Sequence, residues 1–272
     1  MGRLSKMLQN TRRGGQGFGF TAQPTETRAS LAVVAALAEP RQDLIKAAIE
    51  GGADAVVLAQ PSGGDSVKVA ELKQLIRAAA DKPCGLAVAD LKPDEAFEPK
   101  AWLEAGLDFV VFTTDRPASV LLSEAERVAR VDAGFEPADV RALDGLGVDA
   151  FIVAAEQRPA GSRLSVSEVV RFRLLAGLTG KPVLVSVRDE ALAADLEVLA
   201  QIGLEGIVLE ESLLGASAEG LRAHLATFRE AVRNLGPRRA IRRRPGEEVP
   251  LLPRVGPTAM PEQEAGEPGL PG

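Results

Sequence analysis

The sequence predicts an α/β fold, a (βα)8 TIM barrel built of two similar half-barrels, and two repeated motifs support this prediction. A glycine, one residue, an acidic residue and an apolar run recur, and Lys-Pro followed by an apolar run occurs twice. Gly52 and Gly147 are 95 residues apart, Gly106 and Gly203 are 97 apart, and Lys82 and Lys181 are 99 apart. A chain that repeats itself at one offset indicates a repeated architecture more firmly than local propensity does.

The predicted elements follow from these repeats in order. Apolar runs bounded by turn residues predict parallel strands buried on both faces. They lie at 31–37, 54–60, 84–89, 108–114, 127–133, 149–155, 183–188 and 205–210. The fifth strand is too polar to be found by hydrophobicity, and only the half-barrel offset of the first strand places it. Apolar residues at helical spacing predict helices at 67–80, 165–178, 190–202 and 217–235, with a connection of at most a turn or two at 115–126. Eight such units close as a barrel, and an open parallel sheet is the alternative.

Composition and charge indicate one domain with basic ends. The 272 residues are 46% hydrophobic, enough for one barrel-sized core. We expect a basic N-terminal arm at 1–29, the barrel at 30–236, and a disordered tail at 237–272 that is first Arg-rich and then rich in Pro, Gly and Glu. No apolar run reaches the roughly 20 residues that span a bilayer, and no signal-peptide pattern is present, so a cytoplasmic location is expected. The single cysteine, Cys84, excludes an intrachain disulfide, and its apolar setting predicts a buried, inert thiol.

The barrel mouth, where strands end, is the expected place for reactive groups. Carboxylates there could act as acid and base or bind a hard cation, possibly Mg²⁺. The catalytic candidates are Glu210, Asp132 and Glu156, and the metal-ligand candidates are Asp90, Asp115 and Glu211. The ligand-binding candidates are Gln60, Ser62, Gly63 and Gly64, whose loop could expose N–H groups to an anion, together with Arg188. The alternative is that these are helix caps and loop charges that face arginines.

The strand pattern G-A-D-A-V-V-L-A-Q from Gly52 and the half-barrel offset resemble the phosphate-binding and FMN-binding TIM barrels. This broad group includes barrels of histidine and tryptophan biosynthesis and the nitronate monooxygenases. The resemblance implies the fold and a small phosphate-bearing or flavin ligand. In the nitronate monooxygenases a histidine follows the glycines, whereas this chain has Asp65 there. At the positions of the phosphate-binding loops this chain reads V-R-D-E-A-L from Val187 and E-E-S-L-L-G from Glu210, without the expected glycines. These departures argue against both FMN and a sugar phosphate as the ligand, and FMN is not expected.

Basic residues cluster at both ends of the chain. Leu4, Met7 and Leu8 follow helical spacing among the N-terminal cations, so this segment predicts a short amphipathic helix. Both clusters are expected opposite the mouth, where an anionic membrane, a nucleic acid or a protein could bind them. The residues concerned are Arg3, Lys6, Arg12, Arg13, Arg238, Arg239, Arg242, Arg243 and Arg244.

Two functions remain open. The first is a carboxylate-based lyase or isomerase, possibly Mg-dependent, that acts on a small anionic metabolite. The second is a non-catalytic barrel that serves as a binding or scaffold protein located by its basic ends. The chain has no Tyr, its one His lies in the last predicted helix, and no Lys lies within a predicted strand, which argues against a Schiff-base aldolase.

Overall fold

A computed structural model describes residues 2–12, 31–59, 69–88, 100–132, 134–155, 163–187, 195–210 and 217–235. The strands are β1 (Ala32–Leu37), β2 (Ala55–Ala59), β3 (Cys84–Ala87), β4 (Phe109–Thr113), β5 (Glu126–Asp132), β6 (Ala150–Ala154), β7 (Val183–Val187) and β8 (Gly206–Glu210). The helices are α1 (Arg3–Arg12), α2 (Gln42–Glu50), α3 (Val69–Ala78), α4 (Lys100–Ala105), the 3-10 turn η1 (Ala118–Leu122), α5 (Pro137–Gly145), α6 (Val166–Leu178), α7 (Leu196–Gln201) and α8 (Ala218–Arg233).

The strands form a closed parallel barrel in chain order, which confirms the predicted fold class. β1 pairs with β2 through Val34 and Ala55 and also with β8 through Ala32 and Gly206, so the alternative of an open sheet is wrong. The fifth strand lies where the half-barrel offset predicts it, although four of its seven residues are charged. The strand pairs with β4 on one side and with β6 on the other. The backbone hydrogen bonds of these pairings hold β5 in the barrel, although hydrophobicity alone does not predict it.

The repeated glycine motif has one structural role throughout the barrel. Gly52, Gly106, Gly147 and Gly203 all have positive φ, between 79° and 100°, a conformation that glycine adopts without steric cost. The acidic residue two positions later accepts a hydrogen bond from the first or second N–H of the preceding strand. The pairs are Val33 to Asp54 (3.0 Å), Cys84 to Asp108 (2.9 Å), Arg127 to Asp149 (2.8 Å) and Val183 to Glu205 (2.9 Å). The motif therefore fixes the start of every second strand against its neighbour.

Helix α1 closes the end of the barrel at which the strands begin. Leu4 and Leu8 are buried and pack with the side chains inside the barrel. The buried carboxylate of Glu126 accepts hydrogen bonds from the N–H groups of Leu4 (2.8 Å) and Ser5 (3.1 Å), which lie in the first turn of the helix. A carboxylate at this end also interacts favourably with the helix dipole.

The packing of α1 changes the interpretation of the basic N-terminal segment. Arg3 forms an ion pair with Asp108 at 3.2 Å and donates to the carbonyl of Asp81, so this cation is used within the barrel. Lys6 is exposed, the described residues say nothing of the Arg12 side chain, and Arg13 and the five C-terminal arginines lie outside them. The apolar face of the helix packs on the barrel and not on an external surface. Within the described ranges, none of the helices combines the length and apolarity needed to cross a bilayer.

Candidate active site at the barrel mouth

At the mouth, the barrel interior ends in a layer that contains both small apolar and polar side chains. Below it, Val34, Val57, Val111, Val128 and Ile152 fill the barrel with apolar side chains. Because side chains alternate between the two faces of a strand, the residues two positions further on form the next interior layer. These residues are Ala36, Ala59, Ala87, Thr113, Arg130, Ala154, Ser186 and Glu210. All are partly exposed except the buried Ser186, so the layer is the floor of an open mouth.

An ion pair crosses this floor. Arg130 Nη2 on β5 lies 2.6 Å from Glu210 Oε1 on β8, and the two side chains are 31% and 18% exposed. Ala36, the direct neighbour of Glu210 across the sheet, places a small side chain beside the pair. A guanidinium carries five donors, so one bond to Glu210 leaves donors for a ligand. The pair is therefore accessible and only partly screened by solvent.

Two hydroxyl groups extend the polar floor. Ser186 on β7 donates to the same oxygen, Glu210 Oε1, that receives Arg130. On the other side of Arg130, Thr113 is its direct neighbour across the β4–β5 pairing. The hydroxyl of Thr113 donates to Asp115 and accepts from Arg116 Nε at 3.2 Å. Hydrogen bonding from Thr113 lowers the pKa of Asp115, with a bond from its own N–H and the nearby Arg116 acting in the same direction, against a smaller effect of burial.

The structure places three of the predicted site residues. Glu210 lies at the centre of the floor. Asp132 is exposed at the end of β5, where its Oδ1 accepts the N–H of Gly134 at 2.8 Å, the contact of a turn. Asp115 lies on the loop after β4. The remaining candidates, Gln60, Ser62, Gly63, Gly64, Asp90, Glu156, Arg188 and Glu211, lie outside the described residues.

Sequence reasoning missed Arg130 as a site residue. The signal was present in β5, where Glu126, Val128, Arg130 and Asp132 share one face by alternation. A charged residue on the inner face of a barrel strand, one layer before the strand ends, must either be paired or line the mouth. Arg130 satisfies both conditions.

Other reactive groups lie away from the mouth. Burial raises the pKa of the Cys84 thiol to about 12, and the nearby Asp108 acts in the same direction, so the thiol is protonated at neutral pH. His224 lies on α8 beside Phe228, with ring centroids 6.5 Å apart. In the part of the chain that the structure describes, no three His, Cys, Asp or Glu residues group as metal ligands would. The candidates Asp90 and Glu211 are not included in that statement.

Comparison with solved structures shows similarity of fold. Tryptophan synthase from M. tuberculosis matches with a TM-score of 0.62 and 16% identity over 87% of this chain and 100% of that one. Thiamine phosphate pyrophosphorylase from Pyrococcus furiosus matches with a TM-score of 0.55 and 16% identity over 74% and 95% of the two chains. The tryptophan synthase alpha-subunit mutant from Pyrococcus furiosus has a TM-score of 0.59 and 11% identity over 75% and 98%. The sequence matches no protein-family model and no curated protein. The chain is thus a TIM barrel whose fold is similar to that of these enzymes.

Proposed function

We propose that the mouth floor is the active site of a lyase or isomerase that acts on a small anionic metabolite. In this proposal Arg130 binds the anionic group and Glu210 transfers a proton. The single observation that carries the proposal is the Arg130–Glu210 pair at 2.6 Å in the layer where the strands end, with Ala36 beside Glu210. A layer needed only for packing would continue the apolar side chains beneath it.

The charge arrangement fits recognition of a carboxylate or phosphate. Arg130 presents a planar set of donors that matches either group in a bidentate manner. An incoming anion competes with Glu210 for these donors. Glu210 then keeps the hydrogen bond from Ser186 and lies beside the bound ligand. The Arg130 guanidinium therefore determines the ligand class, a carboxylate or a phosphate. The proton acceptor, Glu210, lies next to the bound anionic group.

The chemistry needs one proton acceptor and one anchored anion. Glu210 takes a proton from the substrate carbon next to the carboxyl or carbonyl group, and the electron pair of the C–H bond moves towards that group. With a carbonyl group next to a carbon that bears a hydroxyl, return of the proton to the former carbonyl carbon, with transfer of the hydroxyl proton to the former carbonyl oxygen, gives an isomer. When a group leaves the β carbon with its bonding electrons as a C=C bond forms, the result is a lyase reaction. The Ser186 hydroxyl donates to Glu210 and so orients the carboxylate throughout.

The similarity of fold supports enzymatic activity by analogy, since the matched structures are named as a synthase and a pyrophosphorylase. Mg²⁺ remains a sequence prediction through Asp90, Asp115 and Glu211. Near Glu210 a cation would meet the positive charge of Arg130, so this proposal assigns the ligand contact to the guanidinium. No observation favours the scaffold function, because Arg3 and the apolar face of α1 are used within the barrel.

A thermal-shift screen of small carboxylates and phosphates, with and without Mg²⁺, tests the proposal. The wild type is expected to be stabilised by one anion class, Arg130→Gln to lose that shift, and Glu210→Gln to keep most of it while turnover of the ligand disappears. Arg222→Gln is the matched control, because Arg222 pairs with Glu50 on the exposed helices at 3.6 Å and should leave the shift unchanged. Equal shifts in the wild type and Arg130→Gln would contradict the assignment.

A further inference from the structure

A second guanidinium lies beside the mouth floor, on the turn that follows β4. The N–H of Arg116 donates to the carbonyl of Thr113 at 3.1 Å, so the chain turns back over the end of the strand. Arg116 Nε donates to the hydroxyl oxygen of Thr113 at 3.2 Å, and the Arg116 side chain is only 19% exposed. This cation therefore lies against the floor and not in open solvent.

The strand register places this contact next to Arg130. Thr113 is the direct neighbour of Arg130 in the β4–β5 pairing. The Thr113 side chain faces the barrel interior, because side chains alternate along a strand and Val111, two residues earlier, packs in the interior cluster. Neighbouring parallel strands lie about 4.8 Å apart. Arg116 is therefore held at the side of the floor from which Arg130 extends.

The two guanidinium groups point to different parts of the mouth. Arg130 extends from β5 to Glu210 on β8, whereas Arg116 stays on Thr113 of β4. In the closed barrel β4 and β8 are four strands apart and lie on opposite sides. The Arg130 guanidinium therefore lies towards β8, and the Arg116 guanidinium lies over β4.

Arg116 keeps hydrogen-bond donors for a ligand. Its Nε donates to Thr113, and its Nη2 lies 3.4 Å from Asp115 Oδ2. A guanidinium has five N–H donors, so these contacts leave others available. The Asp115 side chain is 68% exposed, and water therefore screens this ion pair. A ligand that displaces water from the floor would meet a cation whose charge the protein balances only in part.

We propose that the substrate of this site carries two anionic groups, one bound by Arg130 and the other by Arg116. This inference rests on the proposed function and narrows its ligand from any small anion to a dicarboxylate or a phosphorylated carboxylate. The anionic group next to the reacting carbon lies at Arg130, beside Glu210, and Arg116 holds the far end of the molecule. Thr113 is a positioning residue, because its hydroxyl oxygen holds the Arg116 guanidinium at the floor.

Isothermal titration calorimetry with matched ligands separates the roles of the two cations. Succinate and phosphoglycolate carry two anionic groups, whereas their counterparts butyrate and glycolate carry one. The wild type should bind at least one of the two-anion ligands more tightly than its counterpart. Arg116→Gln should weaken that ligand by ~10–100-fold, because one charge-assisted contact is lost, and should change its counterpart by less than about twofold. Arg130→Gln should weaken both members of the pair.

Control variants distinguish a specific contact from the general charge of the mouth. Arg41 lies on the loop after β1, is 51% exposed and pairs with Glu39 and Asp43 of its own segment, so Arg41→Gln should leave binding unchanged. Arg116→Lys should recover part of the preference for two anionic groups, because it keeps the charge. Thr113→Val should weaken the two-anion ligand alone, because the Arg116 guanidinium then loses its acceptor.

The outcomes separate this inference from the proposed function. If Arg130→Gln abolishes binding while Arg116→Gln behaves like Arg41→Gln, the second anionic group is refuted and the proposed function stands. Two-anion ligands that bind no more tightly than their counterparts would refute it equally. If Arg130→Gln leaves the affinity of every ligand unchanged, both the proposed function and this inference are wrong.

Discussion

The closure of the barrel base by α1 leads to a quantitative prediction for Glu126→Ala. The substitution removes the acceptor for the N–H groups of Leu4 and Ser5 at 2.8 and 3.1 Å and leaves both donors without that charge-assisted bond. Hydrogen bonds to a charged group contribute about 1.5–3 kcal/mol each, and the helix dipole adds a smaller amount. Because the two bonds share one carboxylate and the helix can relax, we expect a loss of about 2–4 kcal/mol in the free energy of unfolding.

Urea denaturation followed by circular dichroism measures this loss, and hydrogen exchange at Leu4 and Ser5 locates it. Glu126→Gln should recover part of the stability, since its amide oxygen can accept from the helix without carrying charge. Glu230→Ala, on the exposed face of α8, is the control and should change stability by less than about 0.5 kcal/mol. If Glu126→Ala changes the free energy of unfolding as little as the control does, this carboxylate does not hold α1 on the barrel.

Three further predictions concern single residues. Gly85→Ala should lower the free energy of unfolding by at least about 2 kcal/mol in urea titrations, because a Cβ there would overlap the ring of Phe109 inside the barrel; wild-type stability would contradict this packing. Burial raises the pKa of the Cys84 thiol to about 12, whereas the unfolded thiol ionises near its ordinary pKa of 9.0. The buried thiol therefore contributes to stability below pH 9, and this contribution is lost as the pH rises towards 12. Cys84→Ala should flatten that part of the stability curve, and an identical alkaline profile would refute the assignment. Thr113→Val should raise the pKa of Asp115 in an NMR titration because its hydroxyl donates to that carboxylate, and an unmoved titration would show that the hydrogen bond is absent in solution.

The barrel could be predicted from the sequence because the same glycine turn and the same carboxylate hydrogen bond recur along the chain. The glycine and acidic residue that begin every second strand are local features with one conformation and one hydrogen bond each, so they are visible as a motif. The repeat also located β5, which hydrophobicity alone does not identify because several of its residues are polar. What the repeat could not show was the use of α1, because the amphipathic pattern of Leu4 and Leu8 fits a barrel base and an external surface equally well.

The site was only partly predictable for a related reason. Glu210 was found because it ends an apolar strand, which is a local signal. Its partner Arg130 lies 80 residues away on the opposite side of the barrel, and that pairing depends on closure and register, which no local pattern contains. Asp132 also ends a strand, yet its carboxylate accepts the N–H of Gly134. Position at a strand end therefore identifies candidates, and the hydrogen-bond partners of each side chain select among them.

The most direct test of the central claim is a crystal structure of the chain with the anion that the thermal-shift screen identifies. The account predicts that the carboxylate or phosphate group lies within about 2.7–3.1 Å of the Arg130 guanidinium. It also predicts that a substrate carbon faces Glu210, with the direct Arg130–Glu210 bond lengthened or broken. An anion bound elsewhere, with that bond intact, would contradict the account and make the pair a structural closure of the barrel.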